Sequence, residues 1–181
     1  MERQEALNLV NQYIKTRNLV KHSLAVEAAM RALAKCFGED EELWGITGLL
    51  HDLDYEETKN DFERHALVTA ELLADKGLPE EVIYCIKAHP GHFPTRSRFD
   101  KALYAVDPLT GLIVAAALMH PTKKLRNVDT TFVMNRFKEK RFAAGASRED
   151  IKTCQEIDLE LEKFVEIVLG AMQGIAGELG L

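Results

Sequence analysis

An all-α bundle is the fold class this sequence predicts, and three observations predict it. Apolar residues recur at i, i+3, i+4 and i+7 along most of the chain, the spacing of one helix face. Strand-type alternation never lasts more than a few residues. Glycines, prolines and acidic residues fall where such helices should start and stop. With 181 residues, 46% hydrophobic and 29% charged, the chain can bury a core and is not of disordered type. The expected organisation is a single helical domain over residues 1–181. Its core spans about 18–120, followed by a C-terminal helical extension of about 121–181.

Each element follows from its residues. Ala6, Leu9, Val10, Tyr13 and Ile14 form one face of a first helix. Asn18 and Leu19 interrupt that pattern, and a second helix is expected from about His22 to Phe37, stopped by Gly38. The acidic run Glu39 to Glu42 suits the positive end of a third helix, which delivers His51-Asp52 at its end. A fourth helix spans roughly Phe62 to Lys76 and stops at Gly77. Pro79 opens a fifth, ending near His89. The stretch HPGHFPTRSR reads as a loop. A sixth helix carries Leu103, Tyr104 and Val106 to Asp107, and Pro108 predicts a kink or break before the apolar run Gly111 to Met119. Residues 121–142 are basic and short-ranged. Ser147-x-x-Asp150 reads as a cap for one long final helix with Ile151, Cys154, Ile157, Leu161, Phe164, Val165 and Val168 on its face. Glycines from Gly170 onward weaken its tail.

Composition narrows the function. A net charge of -6 disfavours a dedicated nucleic-acid binder, but a local pocket still suffices for a small phosphorylated substrate. Cys36, Cys85 and Cys154 are odd in number and widely spaced, which argues against a disulfide framework and for a reducing cytoplasm. All three read as core residues. The charged, amphipathic N-terminus does not read as a signal peptide. The run from Gly111 to Met119 is too short to span a bilayer and reads as a buried helix, so no membrane partner is expected.

Histidines and aspartates carry the chemistry. His22, His51, Asp52, His65, His89 and Asp107 all fall at or near predicted helix ends, where a bundle can converge side chains on one spot. Asp52 follows the apolar Leu49 and Leu50, and a carboxylate buried there is costly unless paired or metal-bound. Imidazole nitrogen with carboxylate oxygen is the donor set of Fe, Mn, Co, Ni or Zn. An Asp beside a ligating His can bridge two ions, which can then clamp a water between them.

The order His22, His51-Asp52, Asp107 resembles the HD-domain superfamily of metal-dependent phosphohydrolases. The flanks KHSLAVEAAM, GLLHDLDYEE, IKAHPGH and ALYAVDPLTGL extend the likeness over roughly residues 18–120. The resemblance implies that His22, His51, Asp52 and Asp107 hold one divalent metal ion. His65 and His89 occupy the interval where some branches add ligands for a second. It implies hydrolysis of a phosphate ester or anhydride, of the nucleotide class, by metal-activated water. The ions expected are one or two, with Fe, Mn, Co or Ni ahead of Mg or Zn.

The sequence also departs from the pattern. A familiar branch reads histidine-aspartate-isoleucine-glycine-lysine, whereas this chain reads HDLDY, with Asp54 for the glycine and Tyr55 for the lysine. Asp54 and Glu56 are candidates to orient the water, or solvated helix-end carboxylates. Lys87, close before His89, is a candidate catalytic cation. Arg96 and Arg98 in the following loop are candidate substrate contacts, or solvent-facing residues. His92 is a further candidate contact, or an exposed loop residue. His120 reads as a polar stop. The basic segment 121–142 either folds over the mouth of the site or forms a solvated face. A symmetric dinucleoside polyphosphate hydrolase, a catalytically silent nucleotide-binding regulatory module and a di-iron oxygenase are the alternatives.

Overall fold

The computed structural model describes residues 1–181 and contains helices and turns with no strand. Helix α1 (Arg3–Tyr13) opens with a capping box between Glu2 and Glu5. Helix α2 (Arg17–Phe37) is the central strut and stops at Gly38, whose φ of 71° favours a residue without Cβ. The interruption between α1 and α2 falls at residues 14–16, earlier than Asn18 and Leu19, which lie inside α2. The reason is remote in sequence. The Glu56 carboxylate accepts the backbone N–H groups of Lys15 and Thr16 and fixes the turn there. His22 therefore sits in the second turn of α2 and does not open the helix.

Helix α3 (Glu41–Leu50) is capped by Asp40, which accepts the N–H groups of Glu42 (2.9 Å) and Leu43 (3.0 Å). It lies unusually close to α2. A Cβ on Gly48 would meet the Val26 carbonyl oxygen at 2.9 Å. This contact sets the distance between the helix bearing His22 and the helix bearing His51.

After α3 the chain makes a single turn, α4 (Tyr55–Thr58), then a 3-10 turn at Phe62–Arg64. The expected fourth helix shortens to α5 (Leu67–Leu73), because Ala66 takes a left-handed φ of 66°. That reversal buries His65 among Asp54, Thr58 and Asp52, where a continuous helix would not put it. Helix α6 (Glu80–Ala88) follows Pro79 and ends at His89.

Helix α7 (Arg98–Met119) continues through Pro108 without the break that was one of the two expectations there. Proline removes one helical hydrogen bond, but twelve buried residues from Phe99 to Ala117 hold the helix on both sides of it. By length and composition α7 is apolar enough to cross a membrane, and 56% of its apolar window is buried within the fold.

The extension differs most from expectation. Asp129 caps α8 (Thr130–Lys138) through the Phe132 N–H at 2.7 Å, so the basic segment contains a helix with Val133 and Phe137 buried. Ser147 caps as expected, but α9 (Arg148–Lys152) gives way to a 3-10 turn (Thr153–Ile157) and a left-handed Asp158. The long final helix is thus broken, and α10 (Leu161–Gly174) and α11 (Ala176–Leu179) pack separately. One continuous core joins Ala6 near the start to Phe164, Val168 and Leu179 near the end. All three cysteines are free; Cys85 and Cys154 are buried in it, while Cys36 is exposed and so is not a core residue.

Gly48→Ala should force α2 and α3 apart. Overpacking of this kind costs about 1–3 kcal/mol, which for a chain of this size lowers Tm by roughly 2–12 °C. Thermal melting monitored by circular dichroism tests this, and an unchanged Tm would refute the close-approach account.

Candidate metal centre

The site begins with a carboxylate at the end of α3. Asp52 is buried, and its two oxygens face different histidine pairs. Oδ2 lies 3.6 Å from His22 Nε2 and 3.5 Å from His51 Nε2. Oδ1 lies 3.3 Å from both His65 Nε2 and His89 Nε2. Asp107 closes the first group, with Oδ1 at 3.0 Å from His22 Nε2 and 3.8 Å from His51 Nε2. The ligand atoms of His22, His51 and Asp107 lie within 4.8 Å of one another, as do those of His51, Asp52 and His89.

All four imidazoles are held from behind through Nδ1. His51 Nδ1 donates to the Gly48 carbonyl (2.8 Å) and His89 Nδ1 to the Ile86 carbonyl (2.6 Å). His65 Nδ1 donates to Asp54 Oδ1 (2.8 Å). His22 Nδ1 donates to the Thr110 hydroxyl (3.2 Å), which itself donates to the Asp107 carbonyl. These acceptors put the proton on Nδ1 and leave the Nε2 lone pair aimed at the cluster, the orientation metal-bound histidines take.

Two polar atoms at the centre, His51 Nε2 and Asp52 Oδ1, are buried without a hydrogen-bond partner. Lone pairs facing lone pairs repel, and a cation between them removes the repulsion. The mixed nitrogen and oxygen donor set and these two orphaned atoms fit a divalent metal. Without a cation the cluster draws protons. Burial opposes charge on His51, but Asp52 and Asp107 outweigh it and raise its pKa to about 9. Burial likewise opposes charge on His65, and Asp52 and Asp54 raise it to about 9. Burial pushes the Asp52 and Asp107 carboxyls upward, yet the facing histidines hold both well below the usual carboxylate range.

A model of the HD domain matches residues 19–118. The chain belongs to the HD domain family. This is the superfamily of metal-dependent phosphohydrolases. Among curated proteins the HD chain is similar to ribonuclease Y of Desulfotalea psychrophila, 29% identical over 138 residues, 74% of this chain and 26% of that protein. It is similar to ribonuclease Y of a Sulfurovum species, 30% identical over 136 residues, 74% and 27%. A third likeness is to ribonuclease Y of Oleidesulfovibrio alaskensis, 31% identical over 97 residues, 53% and 18%. The chain spans about a quarter of the length of the first two. No solved structure matches it significantly.

Beside the HD cluster lies a cavity of about 700 Å³. Several residues nominated from the sequence do not reach it. Asp54 is fully buried behind His65, accepting His65 Nδ1 and the Thr69 N–H (2.9 Å), so it positions His65 and cannot touch a water in the cavity. Glu56 faces away, bound to the turn at Lys15 and Thr16. Lys87 points its ammonium over the Phe93 ring at 5.3 Å. Arg96 stacks on Tyr84 at 3.9 Å. Arg98 stacks on Phe37 at 4.7 Å, with Glu39 and Asp158 at 3.7 and 3.8 Å. His92 Nε2 lies 2.8 Å from the Phe62 carbonyl and does not line the cavity. Only Pro90 of the 90–97 loop lines the cavity, and Arg96 in that loop and Arg98 at the start of α7 find aromatic partners away from it.

His22, Asp52, His65, His89 and Asp107 line the cavity as nominated, but most of its other wall residues were missed. Lys59 is the one lysine or arginine there, with Tyr55, Phe62 and Tyr104 as its aromatic neighbours in the wall. Lys59 lies four residues after Tyr55, one helical turn on, and that spacing was the available signal. A wall of small residues, Ala143 to Ala146, comes from the extension, whereas the basic segment 121–142 contributes nothing to the cavity. Arg148 holds this wall in place: its guanidinium donates to the carbonyls of Ala143 and Ala146 (2.8 Å each), Glu139 (3.2 Å) and Phe142.

Metal uptake should therefore displace protons. Below about pH 9 metal must compete with protons on His51 and His65, so apparent affinity should rise with pH up to that point. The stability effect has the matching sign. Both folded pKa values lie above the unfolded value of roughly 6.5. Their contribution to the metal-free protein is complete below that pH and is lost as pH rises through about 9. The Tm gap between Mn-loaded and metal-free protein should widen from pH 6.5 to 9. Calorimetric titration of Mn at pH 7 in two buffers of different ionisation enthalpy reads the protons directly, and zero release would contradict the account.

Proposed function

We propose that this HD protein is a metal-dependent phosphohydrolase acting on a phosphate ester or anhydride of a small nucleotide. The observation that carries the reading is the division of Asp52, whose two oxygens serve two separate histidine pairs. His22, His51, Asp52 and Asp107 would hold one ion, and Asp52, His65 and His89 a second. The imidazole nitrogens disfavour Mg, and Fe, Mn, Co or Ni are the ions proposed. Such ions would supply Lewis acidity toward phosphate oxygens and toward a water. The protein's own groups do the rest. Thr110 and Asp54 keep His22 and His65 in the ligating tautomer. Lys59 adds positive charge at the cavity wall, where phosphate charge develops.

A small substrate agrees with the charge distribution. Relatives bear the name ribonuclease Y, yet this chain carries a net charge of -6 and a single lysine in its cavity. A polymer backbone calls for a row of cations. The complete His and Asp set supports hydrolysis over a silent binding module.

A phosphate-release screen over nucleotides and simple phosphate esters, repeated with Mn, Co, Ni, Fe and Mg, tests the function. Asp52→Ala should abolish turnover while the helical spectrum survives, since it removes the group common to both half-sites. Full activity in a folded Asp52→Ala protein would refute the reading. Lys59→Ala should lower kcat/KM roughly ten- to a hundred-fold, the loss of one charge-assisted contact of about 1.5–3 kcal/mol. A kcat/KM equal to wild type would remove Lys59 from the site.

A further inference from the structure

Two large aromatic side chains in the cavity wall are left exposed, Phe62 at 60% and Tyr55 at 39%. Burying a phenylalanine side chain is worth about 1.5–3 kcal/mol, so an exposed ring that is also held in place calls for an explanation. Phe62 is held. Its carbonyl accepts the His65 N–H at 3.1 Å and lies 2.8 Å from His92 Nε2, and the His92 ring packs 4.9 Å from its own. Both aromatic rings flank His65, Phe62 at 6.0 Å and Tyr55 at 5.5 Å between centroids. Their planes stand at 38° and 81° to that of His65, so the two are not parallel, and a planar ring resting on Phe62 lies beside the group whose Nε2 faces Asp52.

We propose that Phe62 stacks on the base of a nucleoside monophosphate whose phosphate lies beside His65, with Tyr55, steeply tilted to it, as a side wall. The inference rests on the phosphohydrolase reading and sharpens it. The cavity of about 700 Å³ has the size of a small-molecule site. Its walls hold Asp150 and only Lys59 as a formal cation, which favours one phosphate over a chain of them. His92, nominated as a substrate contact, acts here as the support of Phe62.

The test is calorimetric binding to the Mn-loaded protein of two non-hydrolysable methylene phosphonates, one of adenosine and one of ribose alone. The adenosine compound should bind at least about ten-fold tighter, as one stacked base contributes. Phe62→Leu, which keeps apolar bulk but removes the ring, and Phe62→Ala should each erase most of that preference and leave the ribose compound's affinity unchanged. Equal affinities in the wild type would overturn the proposal, as would a preference that survives both substitutions. So would an oligoribonucleotide binding a hundred-fold tighter than the mononucleotide analogue. Base-dependent binding with no phosphate release from any ester would support the stacking and overturn the hydrolase reading alone.

Discussion

A carboxylate buried between four imidazole edges is the constraint on which the rest of this structure depends. Asp52 cannot remain charged there without a counter-charge, and the histidines cannot turn away because each is fastened at Nδ1. The fold solves the placement twice by the same device. His51 and His89 each end a helix, α3 and α6, and each donates Nδ1 to the carbonyl three residues back. A helix end leaves such carbonyls without a partner, so one bond both satisfies the helix and aims the imidazole. The sequence meets this requirement only where an apolar helix stops at a histidine, as GLLHD and CIKAH do.

The converging helix ends were legible in the sequence because apolar periodicity and capping residues are local signals. Asp40 caps α3 and Ser147 caps α9 by the same short-range hydrogen bond that the spacing implies. What was not legible depends on groups distant in the chain. The first turn sits at residues 14–16 because Glu56 binds it from forty residues away. Pro108 fails to break α7 because burial along the helix outweighs one missing hydrogen bond. His65 is buried beside Asp52 only because Ala66 adopts a left-handed backbone, which alanine rarely does and which no local pattern announces. Arg96 and Arg98 read as phosphate ligands by proximity to His89, yet aromatic rings on another face claimed both guanidinium groups.

The cavity joins two parts of the chain with different logic. The metal-type cluster lies wholly within residues 19–118, the stretch that matches the family. The opposite wall belongs to residues 143–150 and is built from small side chains on a backbone gathered round Arg148. Ala143 itself takes a φ of 43°, so this segment is held in a conformation it would not adopt alone. Tyr104 on α7 donates to Asp150 at 3.0 Å and links the wall to the helix that carries Asp107. Chemistry and recognition thus meet at α7, and a change in the extension can alter which molecule fits without touching a ligand.

The departure HDLDY explains how this branch redistributes its charge. An aspartate in place of the glycine is buried behind His65, where it accepts Nδ1 and anchors α5 through the Thr69 N–H. A tyrosine in place of the lysine leaves the position polar but uncharged and puts an aromatic ring in the cavity wall. A positive charge stands one helical turn later, at Lys59 in the same wall. These changes belong together. Adding a carboxylate behind His65 increases the negative charge near the cluster and so strengthens its demand for cations, while removing a lysine from the rim leaves that demand to bound metal. A metal held in a site arranged in this way would have fewer protein cations beside it than where a lysine stands at that position.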